Sequence, residues 1–151
     1  MIRYYVTDRR QGDVLACASR AIRKGVDMIQ VREKDLAARD LFDLVCKIRD
    51  IAAGSKTRIL VNDRLDIAIA AGIDGVVCSP REIQLVRKVV NPQFKIVTPG
   101  IRLPDQSHND QQRVATPREA LSSGADYIVL GRAVTGERDP RTALQRLLDT
   151  L

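Results

Sequence analysis

An α/β fold of six βα units, forming an incomplete or rearranged (βα) barrel, is the architecture this sequence predicts. Two observations carry the prediction. A short phrase recurs as Gly25-Val26-Asp27-Met28-Ile29, Gly72-Ile73-Asp74-Gly75-Val76-Val77 and Gly124-Ala125-Asp126-Tyr127-Ile128-Val129, each time where a helical pattern stops and an apolar run begins. Glycine fits a helix end that needs left-handed backbone, and a short unbroken apolar run fits a strand buried on both faces. Repeated helix-to-strand joints of this kind mean a parallel sheet. The second observation is size. Six units in 151 residues leave about 25 residues each, a normal unit, whereas a closed eight-unit barrel needs at least ~200. Parallel sheets place ligand sites beyond the carboxyl ends of their strands, so chemistry is expected there.

The elements follow in order. The first strand is expected at 3–7 and is followed by a helix at 13–24. No glycine-rich phosphate fingerprint stands between them; Thr7-Asp8-Arg9-Arg10-Gln11-Gly12 does. A strand at 28–32 leads to the helix with the clearest period, 37–53, where Leu41, Leu44, Val45, Ile48 and Ile51 or Ala52 share one face. Strands at 58–62 and 75–78 flank a helix at 64–71. Helices at 80–90, 117–123 and 140–151 each open on a proline, which is favoured in a first helical turn. The last two strands are expected at 94–98 and 127–130, and Leu144, Leu147, Leu148 and Leu151 stripe the final helix. One long polar loop runs from Ile101 to Thr116. No linker or low-complexity stretch divides the chain, which reads as one domain over 1–151.

Composition narrows the function. Apolar residues make up 44% of the chain, and no stretch approaches the ~20 residues of a membrane span. No secretory-type leader precedes the first strand. Cys17, Cys46 and Cys78 are odd in number and far apart, and read as buried thiols in a reducing, cytoplasmic setting. The net charge of +6 is carried mostly by arginine, which suits either a solvated surface or a grip on phosphate. Nucleic acid is disfavoured because no Lys/Arg run and no aromatic platform is present.

Two clusters fall beyond strand ends. Gln30-Val31-Arg32-Glu33-Lys34-Asp35 follows the second strand and Val61-Asn62-Asp63-Arg64 the third. Strand alternation lets Gln30, Arg32 and Lys34 point the same way. Cations beside an Asn-Asp pair suit a diphosphate with a magnesium ion, which Asp63 can hold through oxygen. The same residues would also serve as surface ion pairs, with Asn62 or Asp63 capping the helix that follows.

Tyr5-Val6-Thr7-Asp8-Arg9, the run from Gln30 to Leu36, Val61-Asn62-Asp63-Arg64 with Asp66, and Gly72 to Val76 together resemble thiamine phosphate synthase over residues 1–76. The resemblance implies that Arg32, Lys34 and Asn62 hold the diphosphate of a hydroxymethylpyrimidine substrate and that Asp63 is a magnesium ligand. Departures are visible: Val77-Cys78-Ser79-Pro80 lacks a further acidic ligand, and no later lysine or glycine pair for a thiazole phosphate is found. The rest of the chain, 75–151, is similar to the last three units of orotidine 5'-monophosphate decarboxylase. Gly75 to Pro80, Val97-Thr98-Pro99-Gly100-Ile101-Arg102, Asp110 to Pro117 and Ala125 to Thr135 carry that likeness. It implies phosphate binding by Gln111, Gly131 and Arg132, with Arg102 on the same loop. A glycine amide can approach a phosphate closely and the next arginine can fork onto it. The Asp-x-Lys-x-x-Asp cluster of that family is missing: Lys34 has Arg32 before it and Ala37 after it, and Lys47 has Asp50 after it but Val45 before it.

The combined expectation is a TIM-barrel-type chimera that keeps phosphate- and diphosphate-binding residues without efficient catalysis. The alternative is a thiamine-phosphate-synthase-like transferase in which Gly131 and Arg132 serve the thiazole phosphate. Decarboxylation ranks third. If each half kept its parental place, strands 58–62 and 75–78 would face a gap two strands wide, so a homo-oligomer joined near those strands and the helix at 64–71 is expected.

Overall fold

The computed structural model describes residues 2–102, 115–149 and 151. The chain divides into two compact units, Met1–Val77 and Cys78–Leu151. The first contains β1 (Tyr4–Val6), α1 (Val14–Arg23), β2 (Met28–Val31), α2 (Ala38–Ala52), β3 (Arg58–Asn62), α3 (Leu65–Ala71) and β4 (Gly75–Val77). The second contains α4 (Ile83–Arg87), β5 (Lys95–Thr98), α5 (Pro117–Ser122), β6 (Tyr127–Ile128), α6 (Arg132–Thr135) and α7 (Pro140–Leu148). Six parallel βα units are therefore present, the architecture of an incomplete barrel of TIM type. No helix among the described residues is long and apolar enough to cross a membrane.

In the first unit, neighbouring strands pair in parallel and in chain order, with Ile29 opposite both Tyr5 and Ile59, and Val61 opposite Val76. All four residues of β2 are buried, as are Ile59, Leu60 and Val61 of β3. Leu41, Val45 and Ile48 supply the buried face of α2, as its period predicts. Each such aliphatic side chain contributes roughly 1.5–3 kcal/mol on leaving water. In the second unit β5 pairs with β6, Val97 opposite Tyr127 and Thr98 opposite Ile128.

The expected gap beside strands 58–62 and 75–78 is absent. β3 and β4 are direct neighbours, with Leu60 opposite Gly75. The reason lies in the joint that precedes β4. Gly72 takes a left-handed conformation at φ 62°, and Asp74 then bonds to Ile59 twice: its amide donates to the Ile59 carbonyl at 3.0 Å and its Oδ2 accepts the Ile59 amide at 2.7 Å. The other two joints repeat this device. Asp27 exchanges the same pair of bonds with Arg3, at 3.0 and 2.7 Å, and Asp126 with Ile96, at 2.9 and 2.8 Å. The aspartate does more than turn the chain: it sets the register of the incoming strand against its neighbour.

Several bounds differ from expectation. Residues 80–90 form a 3-10 turn, Pro80–Glu82, followed by a short α4. Ser79 and Glu82 make a capping box there, with the Ser79 hydroxyl donating to Glu82 at 2.6 Å. α4 stops at Arg87 because Asn91-Pro92 lies ahead; a residue before proline avoids helix, and Asn91 Oδ1 accepts the amides of Gln93 and Phe94 instead. β6 is only two residues long because Gly131 opens α6, an element the periodicity did not suggest. Cys78 is buried, while Cys17 and Cys46 are only half-buried.

Candidate functional site

In the first unit the carboxyl ends of β1, β2 and β3 carry two adjoining clefts. One, of about 270 Å³, is lined by Lys34, Asn62, Asp63 and Arg64 above the apolar Val31 and Leu41. The other, of about 280 Å³, is lined by Arg32 and Lys34 together with Thr7, Asp8 and Arg10. Lys34 and Glu33 belong to both. The structure thus gathers the predicted residues Arg32, Lys34, Asn62 and Asp63 at one end of this unit's sheet.

The local chemistry separates free from committed groups. Arg32 and Lys34 are exposed and make no ion pair among the described residues. Neighbouring arginines are committed: Arg9 to Asp35 at 2.5 Å, Arg10 to Asp8 at 2.8 Å, and Arg64 to Asp66 through two bonds of 2.9 and 2.6 Å. The Arg10 guanidinium holds the Asp8 carboxyl far below the usual carboxylate range, and Arg64 lowers that of Asp66.

A one-way hydrogen-bond chain crosses the three strands. The Tyr4 hydroxyl donates to Gln30 Oε1 at 3.1 Å, Gln30 Nε2 to Asn62 Oδ1 at 2.8 Å, and Asn62 Nδ2 to Asp63 Oδ2 at 2.8 Å. Burial pushes the Tyr4 phenol upward, so it stays a donor. The chain ends on a residue of unusual backbone. Asp63, at φ 58°, is the only non-glycine residue with positive φ among those described. Aspartate tolerates this conformation better than most residues, and such outliers cluster at functional sites. The Asp63 amide donates to the Val77 carbonyl at 2.8 Å, which holds the bend. Neither Asn62 nor Asp63 caps α3; Arg64 occupies that position without a side-chain cap. The capping role considered from sequence is therefore absent. The Gln-x-Arg-x-Lys alternation places Gln30 on the face of the candidate cluster without giving it a role, and nothing local in the sequence points to Tyr4.

In the second unit the carboxyl ends of β5 and β6 lie side by side, and the Val129 amide donates to the Thr98 carbonyl at 2.8 Å. Gly131 opens α6 and Arg132 is exposed in its first turn. Arg102 is 9% exposed and its Nη1 donates to the Ile101 carbonyl at 2.8 Å. Gln111 lies outside the described residues. The hydroxyl of the fully buried Thr98 has no hydrogen-bond partner among the described residues. The amino end of the same strands is heavily braced: Arg87 donates to the Gly124 and Phe94 carbonyls at 2.8 and 2.7 Å and pairs with Asp126, which also meets Lys95 at 3.1 Å.

Six βα units with parallel strands define a protein of the (βα)-barrel class. Within that class, residues 43–147 match the model of the orotidine 5'-phosphate decarboxylase / HUMPS family, and the chain belongs to that family. It is 51% identical over 85 residues to orotidine 5'-phosphate decarboxylase of Dichelobacter nodosus, covering 56% of this chain and 37% of that protein. The enzyme of Geobacter sulfurreducens is 44% identical over 104 residues, 69% of this chain and 44% of the relative. The chain thus spans less than half the length of these curated relatives. Among solved structures, orotidine 5'-phosphate decarboxylase from Lactobacillus acidophilus superposes with a TM-score of 0.66 at 25% identity, covering 97% of this chain and 71% of the other. Thiamine phosphate pyrophosphorylase from Pyrococcus furiosus gives 0.61 at 21% identity over 99% and 96%, a likeness of fold.

Proposed function

We propose that this chain is a recombined barrel-type protein that binds phosphorylated small molecules at two strand-end sites and turns none of them over efficiently. The observation that carries the reading is the grouping of uncommitted Arg32 and Lys34 with Asn62 and the αL Asp63 around adjoining clefts, an arrangement suited to a diphosphate. In the second unit, Gly131 and Arg132, with Arg102, would form the phosphate site; the expected fourth member, Gln111, lies outside the described residues. The family's Asp-x-Lys-x-x-Asp spacing is missing from the sequence, so no lysine is set between two aspartates in the pattern that family uses to protonate a product carbanion. The family match over residues 43–147 begins well before residue 75, so the decarboxylase likeness extends into the half whose sequence resembles thiamine phosphate synthase.

The second reading, a transferase joining a pyrimidine diphosphate to a thiazole phosphate, is favoured by Lys34, Asn62 and Asp63 lining one cleft. Its magnesium would rely on Asp63 and the diphosphate's own oxygens, since no three His, Cys, Asp or Glu side chains group for a metal among the described residues. When bound, the ion would neutralise a departing pyrophosphate. Arg32 and Lys34 would orient the diphosphate, and Asn62 would fix it from the neighbouring strand. Incubating the protein with both thiamine precursors and magnesium tests the choice. Little or no thiamine phosphate is expected, and steady synthesis would replace the first reading by the second. Orotidine monophosphate should likewise survive incubation no less well than with heat-killed protein. The reading includes self-association. Light scattering at low micromolar concentration tests it, and a concentration-independent monomer rejects it.

A further inference from the structure

We propose that Glu33, acting through the Thr7 hydroxyl, is a positioning residue that fixes the Arg32 backbone at the rim of the first unit's anion clefts. The inference rests on the diphosphate reading of those clefts and adds a residue that the reading does not use. Glu33 is 5% exposed, although Arg32, Lys34 and Asp35 around it all face solvent. A buried carboxylate is costly unless it is hydrogen-bonded. Its partners here are neutral donors: the Thr7 hydroxyl at 2.6 Å and the Arg9 amide at 3.1 Å. No ion pair reaches it among the described residues.

The consequence falls on Thr7, itself 2% exposed. Because its hydroxyl proton is given to Glu33, its oxygen is oriented to accept, and it accepts the Arg32 amide at 3.0 Å. The Thr7 amide meanwhile donates to the Gln30 carbonyl at 3.0 Å. The end of β1 is thereby pinned at two points, Gln30 and Arg32, to the end of β2 that leads into the turn carrying Lys34. A negative charge beside two cations weakens anion capture if it acts through charge alone. Any benefit of Glu33 to the clefts must therefore come through geometry, and the two routes have opposite signs.

The test titrates sodium pyrophosphate into the full chain, wild type, Glu33→Gln, Thr7→Val and Thr7→Ser, and follows hydrogen exchange of the Arg32 amide in each. Positioning predicts that Glu33→Gln weakens pyrophosphate about five- to tenfold despite the more positive site, with faster exchange at Arg32. Thr7→Val should do the same, and Thr7→Ser should restore both. If Glu33→Gln does not fold, the two Thr7 variants decide alone. Unchanged or tighter binding overturns the proposal, and so does weakened binding with Arg32 still protected. Absence of pyrophosphate binding to the wild type removes the cleft reading and this role with it, while Arg32 protection still reports whether the Thr7 bond exists.

Discussion

The two units use one joint and brace it differently. In the first, Asp27 and Asp74 bond to the neighbouring strand, and among the described residues only Asp27 adds an ion pair, a long one of 3.5 Å to Arg3 between exposed side chains. In the second, Asp126 makes the same strand bond and also anchors Arg87 and Lys95, all three largely shielded from solvent. The opposite ends differ in the reverse sense. The first unit leaves Arg32 and Lys34 uncommitted over its clefts, whereas the second turns Arg102 inward onto a backbone carbonyl. The shared phrase is thus a register device, and the residues proposed to meet ligands lie beyond the other end of each strand.

Breaking the joint should separate the units most. Asp126→Ala strands Arg87 and Lys95 and frees the Ile96 amide, and should cost about 3 kcal/mol. Asp74→Ala removes one bond to a backbone amide and should cost about 1 kcal/mol. Denaturant unfolding of both variants checks the ordering, and equal losses would erase the distinction.

The ligand ends sharpen the comparison next. Arg132→Ala should remove one charge-assisted grip and weaken inorganic phosphate by about 1.5–3 kcal/mol, read by titration. Equal affinity of the two forms would sink the assignment. Thr98→Val should act in the other sense. It replaces a buried hydroxyl that has no partner among the described residues by a methyl group of similar size, and should raise the melting temperature by an amount equivalent to about 1 kcal/mol. A lower melting temperature would mean that the hydroxyl is satisfied.

Acid should expose the smallest difference. Burial alone would raise the Asp126 carboxyl, but the Ile96 amide, Lys95 and Arg87 outweigh it and hold the group below its ordinary value. A carboxyl lowered in the fold contributes stability that is complete above about pH 4 and is lost as pH falls through the lower folded value. Asp126→Asn should therefore flatten the acid limb of a stability-against-pH curve. An unchanged limb would show that Asp126 does not govern it.

Much of this was legible in the sequence because it depends on local patterns. The three Gly-x-Asp joints, the α2 stripe and the proline-opened helices announce themselves within a few residues. What could not be read depends on neighbours distant in the chain. Asp63 shows no sign of left-handed backbone until Val77 is seen to hold its amide, and the gap beside β3 vanishes only because Asp74 reaches back to Ile59. Arg32 and Arg102 look alike as arginines after strands, but only the structure shows one exposed and the other buried.

The central claim is that the two units carry separate anion sites. Calorimetric titration of pyrophosphate and of phosphate into wild type, Arg32→Ala and Arg132→Ala tests it most directly. The account predicts that Arg32→Ala weakens pyrophosphate and leaves phosphate unchanged, and that Arg132→Ala weakens phosphate and leaves pyrophosphate unchanged. Loss of both ligands in either variant, or of neither in both, would contradict it.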